Sequence, residues 1–262
     1  MTEPSPLILV DEPEPTIRRI TLNRPEKRNA INTAMRTELF ETLAAHDNDP
    51  DVHVTIIRGA GPCFSSGYDL GGGLMENTPY HSAPGDGQWA RQATDGWFSM
   101  WDLAKPTIAQ VHGYAYAGGT ELATACDLVY VADDAQIGYP VTRVISPPDW
   151  AYHTPVVGLR AAMEMMLTGD AYTGVEAVQV GWANRAFPAD ELEERVLGMA
   201  RRVATVAPDL QQINKRLVHR SFEVMGARSA MRVGQEYQAL AGHQASVAAV
   251  RENLLQRIKD QI

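Results

Sequence analysis

Cysteine is nearly missing: Cys63 and Cys126 are the only two among 262 residues. They form no metal-ligand motif and give no reason to expect a disulfide framework. Positive charge is scarce too. The 23 Lys and Arg stand against 32 Asp and Glu, a formal net charge of −9. No basic stripe is available to neutralise phosphates, which argues against a nucleic-acid partner. No apolar run approaches the ~18 residues that span a bilayer. The opening Met1-Thr2-Glu3-Pro4 has no basic segment leading into an apolar one and is read as no signal peptide. Repeats and low-complexity tracts are also lacking. What is present is an ordinary globular composition, 45% hydrophobic and 21% charged, in a chain long enough for one large domain or a domain with an appended helical part. The expectation is a soluble cytoplasmic protein with no membrane partner.

Two stretches of small residues stand out. The first is Phe64-Ser65-Ser66-Gly67-Tyr68-Asp69-Leu70, and the second is His112-Gly113-Tyr114-Ala115-Tyr116-Ala117-Gly118-Gly119-Thr120-Glu121-Leu122. Each follows a run that reads as a strand, Val52 to Ile57 and Thr107 to Val111. Further strands are expected at Ile17 to Leu22 and Leu128 to Val131. Helices are expected after a Thr33 cap (Met35, Leu39, Leu43), over Gln88 to Leu103, and from about Thr120. Residues 71 to 87 read as a loop rich in Gly and Pro. From Leu159 the pattern is mostly helical. Asp190 is a candidate cap with Glu193 three residues on, ahead of an apolar stripe of Leu192, Val196, Met199, Val203 and Val206. Val247, Val250, Leu254 and Ile258 form another. The whole reads as an α/β core with a helical C-terminal region, divided as 1–200 and 201–262.

If both small-residue loops sit at the ends of neighbouring strands, the N–H of Ser66 and the N–H of Gly118 can point at one thioester carbonyl. A helix beginning near Gly119 adds partial positive charge there. Main chain alone then builds an oxyanion hole. Taken singly, either loop is a common strand-to-helix turn; it is their combination, with Glu121 three residues past Gly118, that points to chemistry.

The motifs resemble those of the crotonase (enoyl-CoA hydratase/isomerase) superfamily. The resemblance lies in Ile20 to Pro25, Asn29 to Asn32, Phe64 to Leu70, Lys105 to Val111, Gly113 to Ala115, Gly118 to Ala123, Cys126 to Leu128, Ala135 to Gly138 and Met165 to Gly169. It implies a crotonase-like α/β fold, a spiral of ββα units with a helical C-terminal trimerisation region. It also implies an acyl-CoA thioester as substrate, no cofactor beyond that coenzyme A, no metal, and a homotrimer or a hexamer built from two trimers.

Residue by residue, the resemblance assigns the two hole amides to Ser66 and Gly118. Lys27, Arg28, Ala30, Ser66, Gly67, Tyr68, Asp69 and Gly118 fall on the coenzyme A path, with Lys27 and Arg28 near the nucleotide phosphates. A solvated basic pair is an equally good reading of those two. Glu121 matches the first catalytic carboxylate, holding the water that adds to the β-carbon; it is also a helix first-turn Glu favoured by the dipole.

The position of the second carboxylate, after Gly138-Tyr139-Pro140, is occupied by Val141. The segment Ser146-Pro147-Pro148-Asp149-Trp150-Ala151-Tyr152-His153 replaces the usual glycine-rich one. Asp149 and His153 are therefore candidate proton donors. Asp149 reads more simply as a helix cap after two prolines, and His153 as a partly buried polar residue. The function expected is a hydratase-like lyase that adds water to a 2-enoyl-CoA, or removes it from a 3-hydroxyacyl-CoA, through an enolate. Two alternatives follow from Val141: an acyl-CoA binding protein without chemistry, or a family member with another reaction such as isomerisation, decarboxylation or hydrolysis.

Overall fold

A computed structural model describes residues 6–71 and 84–250 of the chain. Nine strands and eight helices are found among them. The strands are β1 Ile8–Glu14, β2 Ile17–Leu22, β3 Val54–Gly59, β4 Thr107–Val111, β5 Tyr114–Tyr116, β6 Leu128–Ala132, β7 Gln136–Gly138, β8 Tyr172–Thr173 and β9 Arg185–Phe187. The helices are α1 Thr33–Asn48, α2 Gln88–Asp102, α3 Gly118–Ala125, α4 His153–Thr168, α5 Gly174–Gln179, α6 Leu192–Ala204, α7 Pro208–Val224 and α8 Ala227–Ala241.

One sheet runs β1-β2-β3-β4-β6-β9, and a small second sheet runs β5-β7-β8. Apart from the antiparallel β1–β2 pair, the strands of the large sheet are parallel. Parallel strands covered on both faces read as continuous apolar runs, and β3 and β4 are buried almost throughout. One face takes α6, through Leu192, Val196 and Ala200. Aligned parallel strands deliver their following turns to one edge. The turn after β3 and strand β5, which follows β4, meet there, joined by a bridge between Ser65 and Ala115.

Local chemistry corrects several expected boundaries. The cap of α1 is Asn32, whose side chain accepts from Met35 N–H at 2.8 Å, rather than Thr33. The strand after it begins at Val54, not Val52. At α6 the cap position is Glu191, with no side-chain cap bond, so the Asp190–Glu193 box does not form. Val206 lies beyond that helix. Helix α4 starts at His153, earlier than Leu159, and bends where Gly158 takes φ +77. Asp149 therefore caps nothing. Cys63 and Cys126 are free and buried. Most of the 71–87 loop, and Leu254 and Ile258 of the last apolar stripe, lie outside the described residues.

Candidate active site

The turn after β3 is held in place by its own polar groups. Asn29 is fully buried and left-handed at φ +52. Its amide donates to the carbonyls of Ala60 and Cys63 at 2.8 and 2.9 Å. Ser66 N–H donates to the Arg28 carbonyl at 3.0 Å, and Asp69 N–H to the Ile31 carbonyl at 3.0 Å. Gly67 N–H turns back onto Ser65 Oγ at 3.1 Å. Of the four amides from Ser66 to Asp69, only that of Tyr68 has no acceptor among the described residues. The assignment of a free donor to Ser66 is thus corrected by two positions: its N–H is spent on bracing the turn.

The facing turn supplies the other free amide. Ala117 is held at φ +48, ψ −122, a conformation costing an alanine about 1–3 kcal/mol. Its N–H is tied to the Gly138 carbonyl at 3.1 Å, and its own carbonyl accepts from Thr120 and Glu121 N–H. Helix α3 consequently starts at Gly118, whose N–H is left without an acceptor among the described residues, as first-turn amides are. The two turns touch closely. A Cβ on Gly67 would sit 3.1 Å from Gly118 N, and a Cβ on Gly118 would sit 2.8 Å from the Tyr68 ring. Both positions need glycine for that contact.

A cavity of about 220 Å³ opens beside these turns. Tyr68, Trp89, Ala117, Tyr139, Val141 and Asp149 lie in its wall, with Gln238 of α8 closing one side. A larger groove of about 730 Å³ runs over Thr21, Arg58 and Gln110. Its arginines are already engaged, Arg19 with Asp11 and Glu193 and Arg58 with Glu193, and it contains none of the predicted site residues.

Glu121 is fully buried behind the small cavity. Tyr68 Oη donates to its Oε2 at 2.6 Å and Trp97 Nε1 to the same atom at 3.0 Å. Tyr139 Oη donates to Oε1 at 3.1 Å and Trp150 N–H at 3.4 Å. The expected direct contact between Glu121 and a substrate water is not what this arrangement gives, because both oxygens are taken by protein donors. Glu121 meets the cavity through the phenols of Tyr68 and Tyr139. Burial pushes its carboxyl above the usual range, and the three side-chain donors and the Trp150 amide pull it back.

Asp149 is the carboxyl that lies in the cavity wall, 4% exposed. Burial and the neighbouring Glu121 push it well above the usual range, against the pull of the Trp89 indole and the Arg36 charge. Its Oδ1 has no hydrogen-bond partner among the described residues. Two carboxyls in one dry region cannot both ionise readily. Glu121, with four protein donors, keeps the charge, and Asp149 keeps the proton.

His153, the other candidate donor, is buried, and neither ring nitrogen has a hydrogen-bond partner among the described residues. It stacks on Tyr152 at 3.9 Å and meets Tyr139 edge-on at 5.6 Å. It is outside the cavity wall, and burial holds it neutral with a pKa pushed down to about 3. A proton-donating role for it is corrected accordingly.

Of the expected coenzyme A contacts, Lys27 and Arg28 are exposed on the turn before the first motif and Ala30 is half-buried. Asp69 has a bracing task instead: Arg24 bridges it at 2.9 Å and also donates to the Ala30 carbonyl at 2.6 Å. Burial raises the Asp69 carboxyl, but Gly71 N–H and Arg24 outweigh that and hold it below its ordinary value.

Comparison with known proteins identifies the family. The family model for enoyl-CoA hydratase/isomerase matches residues 12–257. The chain belongs to the enoyl-CoA hydratase/isomerase family, within the crotonase superfamily. It is 31% identical over 233 residues to a protein of Mycobacterium bovis described as a probable enoyl-CoA hydratase, covering 86% of this chain and 84% of that one. It is 30% identical over 212 residues to the mitochondrial enoyl-CoA hydratase of Pongo abelii, covering 80% and 71%. Among solved structures, an enoyl-CoA hydratase of Mycobacterium smegmatis superposes with a TM-score of 0.86 at 29% identity, over 96% of this chain and 89% of that one. An enoyl-CoA hydratase/isomerase of Xanthobacter autotrophicus Py2 gives 0.85 at 30%, over 98% and 97%. The crotonase-like fold expected from the motifs is therefore the observed one.

The motifs also left residues unassigned. Tyr139, Trp89 and Trp97 had no signal beyond bulk. The identity of the free amide depends on which carbonyls the turn uses for itself, which spacing alone does not reveal.

Proposed function

We propose that this family member is an acyl-CoA lyase that hydrates a 2-enoyl-CoA, or dehydrates a 3-hydroxyacyl-CoA. The observation that carries this reading is the pairing of two amides without acceptors among the described residues, Tyr68 N–H and Gly118 N–H, with a buried carboxyl, Asp149, in the wall of the cavity that Tyr68 also lines.

The thioester oxygen takes both amides, and the dipole of α3 adds to them. Water attacks the β-carbon, the double-bond electrons move onto the thioester oxygen, and the enolate is held there. Asp149 gives its proton to the α-carbon as the carbonyl re-forms. The proton lost by the water passes through a cavity phenol, Tyr68 or Tyr139, to Glu121. Return of that proton to Asp149 resets the pair. Asp149 thus supplies from a later segment what the Val141 position lacks.

One observation favours a second reaction on the same enolate. Both Glu121 oxygens are occupied, so a substrate that fills the cavity leaves Asp149 as the one carboxyl in contact with it. With its own proton first passed through a cavity phenol to Glu121, the ionised Asp149 takes a proton from the α-carbon and returns it to the γ-carbon, which is a double-bond isomerase.

The substrate's nucleotide end is proposed to lie along Lys27 and Arg28, with no further cofactor and no metal. Among the described residues no cluster of three His, Cys, Asp or Glu suited to a metal exists, and no helix is long and apolar enough to cross a membrane. Assembly into a trimer or hexamer is proposed from the apolar faces left open on α4 (Leu159, Met163, Leu167) and α7 (Leu210, Ile213, Leu217). A cytoplasmic location follows from the same reading.

The deciding experiment is loss of the conjugated thioester absorbance of a 2-enoyl-CoA in the presence of the protein. A rate above background supports hydration. No change, with 3-enoyl-CoA converted instead, transfers the reading to isomerisation. Binding without either leaves a carrier.

A further inference from the structure

Arg36 has no place in the chemistry above, yet it is the most unusual side chain near it. It projects from α1, is fully buried, and carries a charge that no carboxylate among the described residues contacts directly. Nη2 donates to the Gln92 carbonyl at 3.3 Å, while Nε and Nη1 have no hydrogen-bond partner among the described residues. Its guanidinium instead lies among three aromatic rings, 5.1 Å from Trp89, 5.9 Å from Trp97 and 6.0 Å from Phe40. Burying an ion this way is expensive unless something offsets it, and ring faces offset part of it.

The two tryptophans decide what that charge is for. Trp97 turns its indole N–H to Glu121 at 3.0 Å, and Trp89 lies with Asp149 in the wall of the same cavity. The Trp97 indole presents its face to the cation and its N–H to a carboxylate. Such a ring is polarised in the same sense at both ends, with the N–H made a better donor by the cation behind it.

Granted the proposed role of the Glu121–Asp149 pair, we infer that Arg36 is its fixed counter-charge, a positioning residue that acts on Glu121 through Trp97 and keeps one carboxyl ionised and one protonated. With one buried positive charge, one carboxylate makes the region neutral. Two carboxylates would leave it negative, and none would leave Arg36 unbalanced. The other titratable groups around the pair, among the described residues, are the phenols of Tyr68 and Tyr139, which donate and stay neutral, the buried phenol of Tyr152, raised by burial and also neutral, and neutral His153 beyond Tyr139. The remaining cations on packed helices are engaged elsewhere, Arg91 of α2 with the Asp86 carbonyl and Arg232 of α8 with Asp95.

The test is an infrared pH titration of the protonated carboxyl C=O bands in the unliganded protein, so that it is independent of which reaction is catalysed. The wild type is expected to show one buried protonated carboxyl through the neutral range, removed by Asp149→Asn. In Arg36→Met, of similar length but uncharged, a second band appears, removed by Glu121→Gln, with its midpoint raised by about 1–3 pH units. Arg36→Lys restores the wild-type titration. Should Arg36→Met fail to fold, the double variant Arg36→Met with Glu121→Gln, which removes cation and carboxylate together, tests the same point against Glu121→Gln alone: the Asp149 midpoint lies about 1–3 pH units higher in the double variant. A folded Arg36→Met that titrates like wild type would overturn the inference, as would a double variant whose Asp149 band titrates like that of Glu121→Gln alone.

Discussion

Glu121 and Asp149 are neighbours with opposite provisions: four protein donors converge on Glu121, whereas Asp149 Oδ1 has none among the described residues. The contrast assigns the charge to the first and the proton to the second. On the proposed reaction, it also lets Asp149 stand in for the carboxylate that Val141 does not supply.

Replacing Asp149 by Asn should therefore remove the proton donor without removing the cavity. The expected result is a fall in kcat of about 10²–10⁴-fold with KM little changed, read from the enoyl thioester absorbance. A purely structural Asp149 would instead lower the melting temperature and leave kcat intact.

The Tyr68 ring lies against Gly118, where an added Cβ would come within 2.8 Å of it. Gly118→Ala keeps the amide but must push the ring, and with it the phenol that bonds Glu121. Loss of a well-placed hole donor is typically worth ~10²–10³ in kcat, and a drop of that order is expected here. Tyr68→Ala combined with Gly118→Ala should recover part of the fold stability and none of the turnover.

Much of this arrangement is legible in the sequence, and the limit has a physical origin. The two glycine-bearing turns announce themselves because Gly67 and Gly118 have to allow close approach, and only glycine does. Helix α2 and strands β2 and β4 follow from apolar periodicity and stopped where it stopped. The identity of the free amide was not legible. Ser66 and Tyr68 differ only in that the first is used by the Arg28 carbonyl, a tertiary contact made across 38 residues of chain. Asp149 read as a helix cap for the same reason: its two prolines are a genuine local signal, and the nearness of Glu121 is not local.

Removing the apolar faces of the C-terminal helices tests the assembly. Leu217 on α7 is 64% exposed, and a contiguous exposed apolar stripe of this kind marks a contact surface. Leu217→Glu is expected to shift light-scattering mass from an oligomer to the 28.7 kDa chain. A wild type that is already monomeric at working concentration would remove the basis for the proposed trimer.

His153 gives a prediction about acid stability. The folded protein holds it neutral, with a pKa near 3 against 6.5 for the free side chain, so between those values the unfolded chain binds one more proton than the native one. Protons then favour unfolding, and stability rises with pH across that window. Its share is fully present above about 6.5 and is lost as the pH falls toward 3. Phenylalanine preserves the stacking on Tyr152 and takes no proton. His153→Phe should accordingly flatten the acid limb of a urea-midpoint titration by about one proton's slope, near 1.4 kcal/mol per pH unit at most, while kcat stays within about twofold. If the variant keeps the wild-type slope but loses turnover, the ring is in contact with the reaction after all, and the proton donor has to be sought at His153 rather than at Asp149.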